Sequence, residues 1–144
     1  NENMINIFSK IRKHLDDNNL QLIVIPSNRT PINSIQFAKE YFNKDRLVVE
    51  SIDKKAYLSS LALAKYIVVT CDSSSMISEA ALTGKPLYVA MIPSRKKDNR
   101  FQKFRNLLES KNVIRYLNNN LDVWNYEKLD ETKRIAKLIK EKIF

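Results

Sequence analysis

The chain has 144 residues and a formal net charge of +9, from 25 lysines and arginines against 16 aspartates and glutamates. A hydrophobic content of 44% excludes a disordered tail, and the length suits one domain with a hydrophobic core. The longest apolar runs, such as Leu20 to Ile25, are too short to span a bilayer. The single cysteine, Cys71, excludes an internal disulfide and fits a reducing compartment, and the lone His14 cannot make a metal site. The surplus of positive charge favours an anionic partner, whether phosphate, acidic lipid or nucleic acid.

The first half of the chain alternates between helical and extended patterns. The continuous apolar run Leu20 to Ile25 predicts a strand with both faces covered. Thr30 as cap and Pro31 at the first helical position predict the start of a helix. Apolar spacing predicts further helices at 3–17 and 54–64 and a short strand at 47–49.

The second half continues the alternation. Gly84, the only glycine in the chain, is predicted to end a helix in the left-handed conformation. The segment Ser94 to Arg100 is predicted to be a basic loop, which is either solvated or closes over a ligand. Trp124 and Tyr126 are expected to pack against a final basic helix. That helix either docks on the domain or lies on an acidic membrane. We predict strands at 66–70, 87–91 and 113–116, and helices at 74–83, 100–111 and 130–143.

This order of elements predicts an α/β fold. Strands that alternate with helices at this spacing form βαβ units, whose right-handed crossovers place helices on both faces of a parallel sheet. Ligands of such sheets bind beyond the carboxyl ends of the strands. Several polar loops are predicted to share that edge: Ser27–Thr30, Asp53, Asp72–Ser75 and Ser94–Arg100.

The most informative loop joins the strand at 66–70 to the helix at 74–83. The first turn of a helix leaves backbone N–H groups without intrahelical partners, and these donors together with the helix dipole suit a phosphate. Glu79 follows Ser75 by four residues, so both lie on one helix face, where the carboxylate can accept hydrogen bonds from two sugar hydroxyls. The alternative is an ordinary turn in which serine and aspartate only cap the helix. The residues alone leave both open.

Several segments carry a resemblance to a known family. They are Pro26 to Pro31, Leu61 to Ala80, and Thr83 to Pro86, and the most specific pattern is Asp-Ser-x-Ser-Met-x-Ser-Glu-Ala, which begins at Asp72. In these residues the chain resembles the mitochondrial fission "elongated mitochondria" family. Its members are bacterial proteins, often labelled as predicted nucleoside-diphosphate-sugar epimerases, and a plant relative.

The resemblance implies a specific architecture. That family is similar to the two-domain GT-B glycosyltransferases, so we expect a Rossmann-like three-layer αβα sandwich, the C-terminal half of a GT-B protein. About five parallel strands, ordered 2-1-3-4-5, are expected. The chain is then a single domain and a fragment of a longer protein, whose missing N-terminal domain would supply the acceptor site. We expect no turnover from this fragment alone.

The resemblance also implies a binding site for a nucleotide sugar, as ligand or substrate, with no separate cofactor and no metal. Catalytic residues are not assigned. The implied contacts are Ser73, Ser74 and Ser75 with the diphosphate, Glu79 with the ribose, and Arg29 or Arg100 with the phosphate charge.

A different class of function stays open beside it. On a GT-B-like scaffold without catalysis, the basic surface would recruit a partner protein or an acidic membrane, in the cytoplasm or at the inner face of the membrane. Nucleic-acid binding rests on charge alone, because the sequence shows no aromatic and basic platform for single strands. An epimerase is disfavoured because the dinucleotide fingerprint and a Tyr-x-x-x-Lys pair are both missing from the sequence.

Overall fold

A computed structural model describes residues 2–42, 47–93 and 99–127. Helices and strands alternate along these residues, as the sequence predicts. The chain divides into two compact units, Asn1–Leu63 and Ala64–Phe144.

The first unit packs aromatic side chains from two helices. Phe8 of the first helix stacks on Phe37 with 5.6 Å between ring centroids, and it lies 4.8 Å from the ring of Phe42. The first two strands pair in parallel, with Ile23 opposite Leu47. The elements are α1 (Glu2–Asn18), β1 (Ile23–Val24), α2 (Ile32–Tyr41), β2 (Leu47–Val48) and α3 (Lys54–Leu63).

The start of α2 differs from the prediction by one residue. Pro31 is the N-cap in an extended conformation, and α2 begins at Ile32. Thr30 does not cap the helix, because its hydroxyl serves the preceding turn. Its Oγ1 accepts a hydrogen bond from the Ser27 amide at 2.8 Å. A capping threonine would use the same oxygen to accept a hydrogen bond from an amide in the first turn of α2.

The second unit is built on three parallel strands in the order β3-β4-β5. The middle strand is buried along its whole length, and Ile77, Leu108 and Ile114 pack beside it with at most 1% of their surface exposed. Gly84 has a φ of 71°, as predicted for a helix-terminating glycine. The elements are β3 (Ile67–Thr70), α4 (Ser74–Ala81), β4 (Leu87–Ala90), α5 (Asn99–Ser110) and β5 (Ile114–Tyr116).

These strands confirm the predicted α/β class with parallel sheets. The strands form one pair, β1-β2, and one sheet of three, β3-β4-β5. A single sheet of five strands in the order 2-1-3-4-5 stays a prediction. The predicted helix 100–111 corresponds to α5, which begins one residue earlier, at Asn99, so Arg100 lies in its first turn. The rest of the predicted basic loop, 94–98, and the predicted helix 130–143 lie outside the described residues.

An irregular segment follows β5 and packs on the amino ends of the strands. Trp124 meets Tyr88 edge-on at 5.2 Å between centroids and donates a hydrogen bond to the Asn112 carbonyl at 2.8 Å. The Tyr126 hydroxyl donates to the Lys85 carbonyl at 2.5 Å. Lys85 and Asn112 precede β4 and β5, so this segment lies at the edge opposite to the carboxyl ends of the strands.

Candidate functional site

The turn between β3 and α4 lies at the carboxyl edge of the three-stranded sheet. The Cys71 amide donates to the Ala90 carbonyl at 3.0 Å, which extends the pairing of β3 with β4 by one residue. The chain then turns, and the Ser73 amide donates to the Thr70 carbonyl at 3.2 Å. These two backbone hydrogen bonds hold the start of the turn, and they fix the direction in which α4 leaves the sheet.

The first turn of α4 presents backbone donors at this edge. The Ile77 amide donates to the Ser73 carbonyl at 3.0 Å, the first bond of the helical ladder. The amides of Ser74, Ser75 and Met76 precede that bond, so the helix itself has no acceptors for them. The N-terminal end of the helix also carries a positive partial charge of about half an elementary charge. The geometry suits an anion.

The serines predicted to face a diphosphate differ in exposure. Ser73 is the N-cap residue but makes no side-chain cap hydrogen bond, and only 5% of its surface is exposed. Ser74 is half-buried, and its carbonyl accepts the Ser78 hydroxyl at 2.9 Å. Ser75 is exposed. A ligand at the surface would thus meet the side chain of Ser75 first, then that of Ser74.

Glu79 lies one helical turn beyond Ser75, and both side chains are exposed. At this spacing, β-carbons lie about 5–6 Å apart on one helix face. The structure therefore places together the hydroxyl and the carboxylate that the sequence pairs. Their contact with a ligand stays a prediction.

The two predicted arginines occupy different units. Arg29 is exposed in the turn after β1, where its amide donates to the Ser27 hydroxyl at 3.3 Å. Arg100 is exposed in the first turn of α5, in the second unit. Each makes a further interaction within the protein. Their roles as phosphate contacts stay predictions.

Arg105 is a site residue that sequence reasoning missed. Its Nη1 donates to the Cys71 carbonyl at 3.3 Å, directly at the β3–α4 turn. Its Nε is buried and has no hydrogen-bond partner. The available signal was helical spacing, because Arg105 follows Phe101 by four residues and precedes the buried Leu108 by three. That spacing places a basic residue on the inward face of α5.

Cys71 packs beneath the same turn. It is buried, and its sulfur accepts a hydrogen bond from the Ile92 amide at 3.3 Å. The thiol therefore links the ends of β3 and β4.

Two tyrosines have shifted pKa values: Tyr126 belongs to the segment after β5, and the Tyr88 hydroxyl accepts a hydrogen bond from the Asp122 amide of that segment. Burial raises the pKa of Tyr126 to about 12, against a smaller opposing effect of a hydrogen bond with Thr83. Burial also raises the pKa of Tyr88, which the backbone of Asp122 partly offsets. These shifts report packing of the segment after β5.

Two further features are absent from the described part of the chain. Within residues 2–42, 47–93 and 99–127, no cluster of histidine, cysteine, aspartate or glutamate could hold a metal ion. Within the same ranges, no helix has both the length and the apolar character that crossing a membrane requires.

Comparison with known proteins identifies the family. A family profile described as "Mitochondrial fission ELM1" matches residues 1–143. The chain belongs to this family. The predicted resemblance to the fission family is thereby confirmed, whereas the likeness of the ELM1 family to GT-B enzymes stays a prediction.

Two curated proteins are similar to this chain. An uncharacterized protein of Rickettsia prowazekii (strain Madrid E) is 32% identical over 148 residues, covering 97% of this chain and 42% of that protein. Mitochondrial fission protein ELM1 of Arabidopsis thaliana is 34% identical over 90 residues, covering 60% of this chain and 21% of that protein. The chain thus spans less than half of either relative. No solved structure matches it.

Proposed function

We propose that this ELM1-family chain binds the nucleoside diphosphate part of a nucleotide sugar at the β3–α4 turn, as the donor-binding half of a GT-B-like protein. One observation carries the proposal. The first-turn amides of α4 lie at the carboxyl edge of a parallel sheet, with Ser75 and Glu79 exposed one turn apart on the same helix.

Each part of this arrangement matches a part of the ligand. The amides of Ser74, Ser75 and Met76 and the helix dipole favour phosphate oxygens. The carboxylate of Glu79 is an acceptor, so it suits the two hydroxyl donors of a ribose. The net charge of +9 favours the approach of an anionic ligand from a distance.

We assign ligand binding, and not catalytic turnover, to this chain. A glycosyl transfer needs an acceptor substrate and a catalytic base. We assign no catalytic base among the described residues at the turn. The link to glycosyltransferases is an analogy of folds, which says little about chemistry. A GT-B-like partner domain would therefore complete any reaction.

Isothermal titration calorimetry of the protein expressed from its complete gene tests the proposal. UDP, GDP and their sugar conjugates are titrated into the wild type and into Glu79→Gln, with Glu109→Gln as the control, since Glu109 is exposed on α5. Binding of at least one nucleotide, weakened only by Glu79→Gln, supports the proposal. Failure of every nucleotide to bind the wild type refutes it.

A second candidate is a non-catalytic module that recruits an acidic membrane or a partner protein, including peripheral attachment at a membrane surface. The net charge of +9 and the name of the Arabidopsis relative, a mitochondrial fission protein, favour it. Flotation with liposomes that contain anionic lipid distinguishes the two. Binding that depends on lipid charge, in a protein with no affinity for nucleotides, favours this candidate.

A further inference from the structure

Arg105 brings a positive charge to the inner side of the β3–α4 turn. The side chain comes from α5, between the buried residues Phe104 and Leu108, and is itself partly buried. Its Nη1 reaches the Cys71 carbonyl at 3.3 Å. This carbonyl belongs to the residue that directly follows β3, two residues before the N-cap of α4.

Within residues 2–42, 47–93 and 99–127, no side chain balances the charge of this guanidinium. An arginine side chain stays protonated and has five N–H donors, and its removal from water is costly unless opposite charge or hydrogen bonds compensate. Among the described residues, its hydrogen-bond partner is the uncharged Cys71 carbonyl, and its Nε is buried without a partner. No carboxylate in the described ranges forms an ion pair with it.

An apolar side chain would fill this position on α5 without that cost. Native buried polar groups that lack a partner call for an explanation, such as a role in binding. A charge held at the Cys71 carbonyl, two residues before the N-cap of α4, would act on the same ligand as the first-turn amides of that helix. In a partly buried setting, the interaction is screened less than at an open surface.

We propose that Arg105 is the positioning residue of the phosphate site: it holds the Cys71 carbonyl in place and supplies the positive charge that selects a diphosphate over a monophosphate. This inference rests on the proposed function. It also narrows the ligand class, because the charge of Arg105 contributes more to binding as the phosphate group becomes more negative.

The test compares variants that separate charge from hydrogen bonding. Arg105→Gln keeps an N–H donor for the Cys71 carbonyl but removes the charge, whereas Arg105→Lys keeps the charge but loses the planar fork. Lys103→Gln removes the same charge from an exposed position on α5 and is the matched control. Affinities for UDP and UMP (or GDP and GMP if the wild type prefers them) are measured by calorimetry on the protein from the complete gene. Thermal unfolding is followed in parallel.

The expected result is a change in selectivity. Arg105→Gln should weaken diphosphate binding by about 10- to 100-fold, as expected for loss of a charged partner, and monophosphate binding by clearly less. Arg105→Lys should keep the preference of the wild type for diphosphate within about threefold. Lys103→Gln should leave both affinities near those of the wild type.

Other results separate this inference from the proposed function. If the wild type binds UDP and Arg105→Gln binds it equally well, the role of Arg105 is refuted and the proposed function stands. Equal weakening of both nucleotides would show a structural role only and would also refute the inference. Should Arg105→Gln fail to fold, a folded Arg105→Lys variant that loses the diphosphate preference refutes it. If the wild type binds no nucleotide, the proposed function falls first, and the inference falls with it.

Discussion

Replacing Ser74 by proline removes one backbone donor from the proposed phosphate site, together with the serine hydroxyl. Ser74 is the first residue of α4, and proline is favoured at that position because its fixed φ suits a helix start. Ser73, which would precede the proline, has a φ of −113° and a ψ of 76°, outside the helical region that proline disfavours for its neighbour. The Ser74 carbonyl still accepts the Ser78 hydroxyl. We therefore expect α4 to form in Ser74→Pro.

The size of the effect follows from the bond that is lost. A hydrogen bond to a charged group contributes about 1.5–3 kcal/mol, and about 1.4 kcal/mol corresponds to a tenfold change in affinity. Ser74→Pro should thus weaken UDP or GDP binding by about 10- to 100-fold. Ser74→Ala is the control, because it loses the hydroxyl but keeps the amide, and it should bind more tightly than Ser74→Pro.

Calorimetry measures the two affinities, and thermal unfolding shows whether both variants stay folded. Equal affinity of a folded Ser74→Pro variant and the wild type would refute the role of the α4 amides. So would an equal loss in Ser74→Pro and Ser74→Ala, since that would assign the effect to the hydroxyl.

Further predictions concern the ribose contact and the stability of the second unit. Glu79→Gln should weaken a ribonucleotide more than its 2′-deoxy analogue in calorimetry, whereas equal losses would contradict a ribose contact. Gly84→Ala should lower the free energy of unfolding in urea by about 1–2 kcal/mol, because alanine is disfavoured at the observed φ of 71°, and an unchanged midpoint would contradict this. Tyr126→Phe removes the bond to the Lys85 carbonyl and should cost about 1 kcal/mol by the same urea assay without changing nucleotide affinity. Because the pKa of Tyr126 is raised from 10.0 to about 12, the unfolded state loses this proton first, so the wild type should lose stability as pH rises from 10.0 to about 12. Tyr126→Phe should show a smaller loss over that range, and equal slopes would contradict the assignment.

Local patterns were sufficient to predict most of the fold. The β-branched run at 67–70 predicts a strand, although only Ile67 of that strand is buried. The lone glycine at 84 marks a position that requires a positive φ. The spacing of Ser75 and Glu79 predicts their shared exposed face, because helix geometry alone determines it. Such features depend on neighbours only a few residues away.

The remaining features depend on contacts distant in sequence. Arg105 reaches Cys71 across 34 positions, and the Tyr126 hydroxyl reaches Lys85 across 41. No local pattern specifies such partners, so a basic residue on α5 could not be assigned to the β3–α4 turn beforehand. The prediction that Thr30 caps α2 was wrong for a related reason. The Thr30 hydroxyl instead accepts a hydrogen bond from the Ser27 amide in the preceding turn.

The amide resonances of α4 during a nucleotide titration test the central claim most directly. In ¹H–¹⁵N spectra of the protein from its complete gene, addition of UDP or GDP should shift the amides of Ser74, Ser75 and Met76. The indole N–H of Trp124, at the opposite edge of the sheet, should stay in place. Saturable shifts confined to residues away from the start of α4, or no shifts with any nucleotide, would contradict the account.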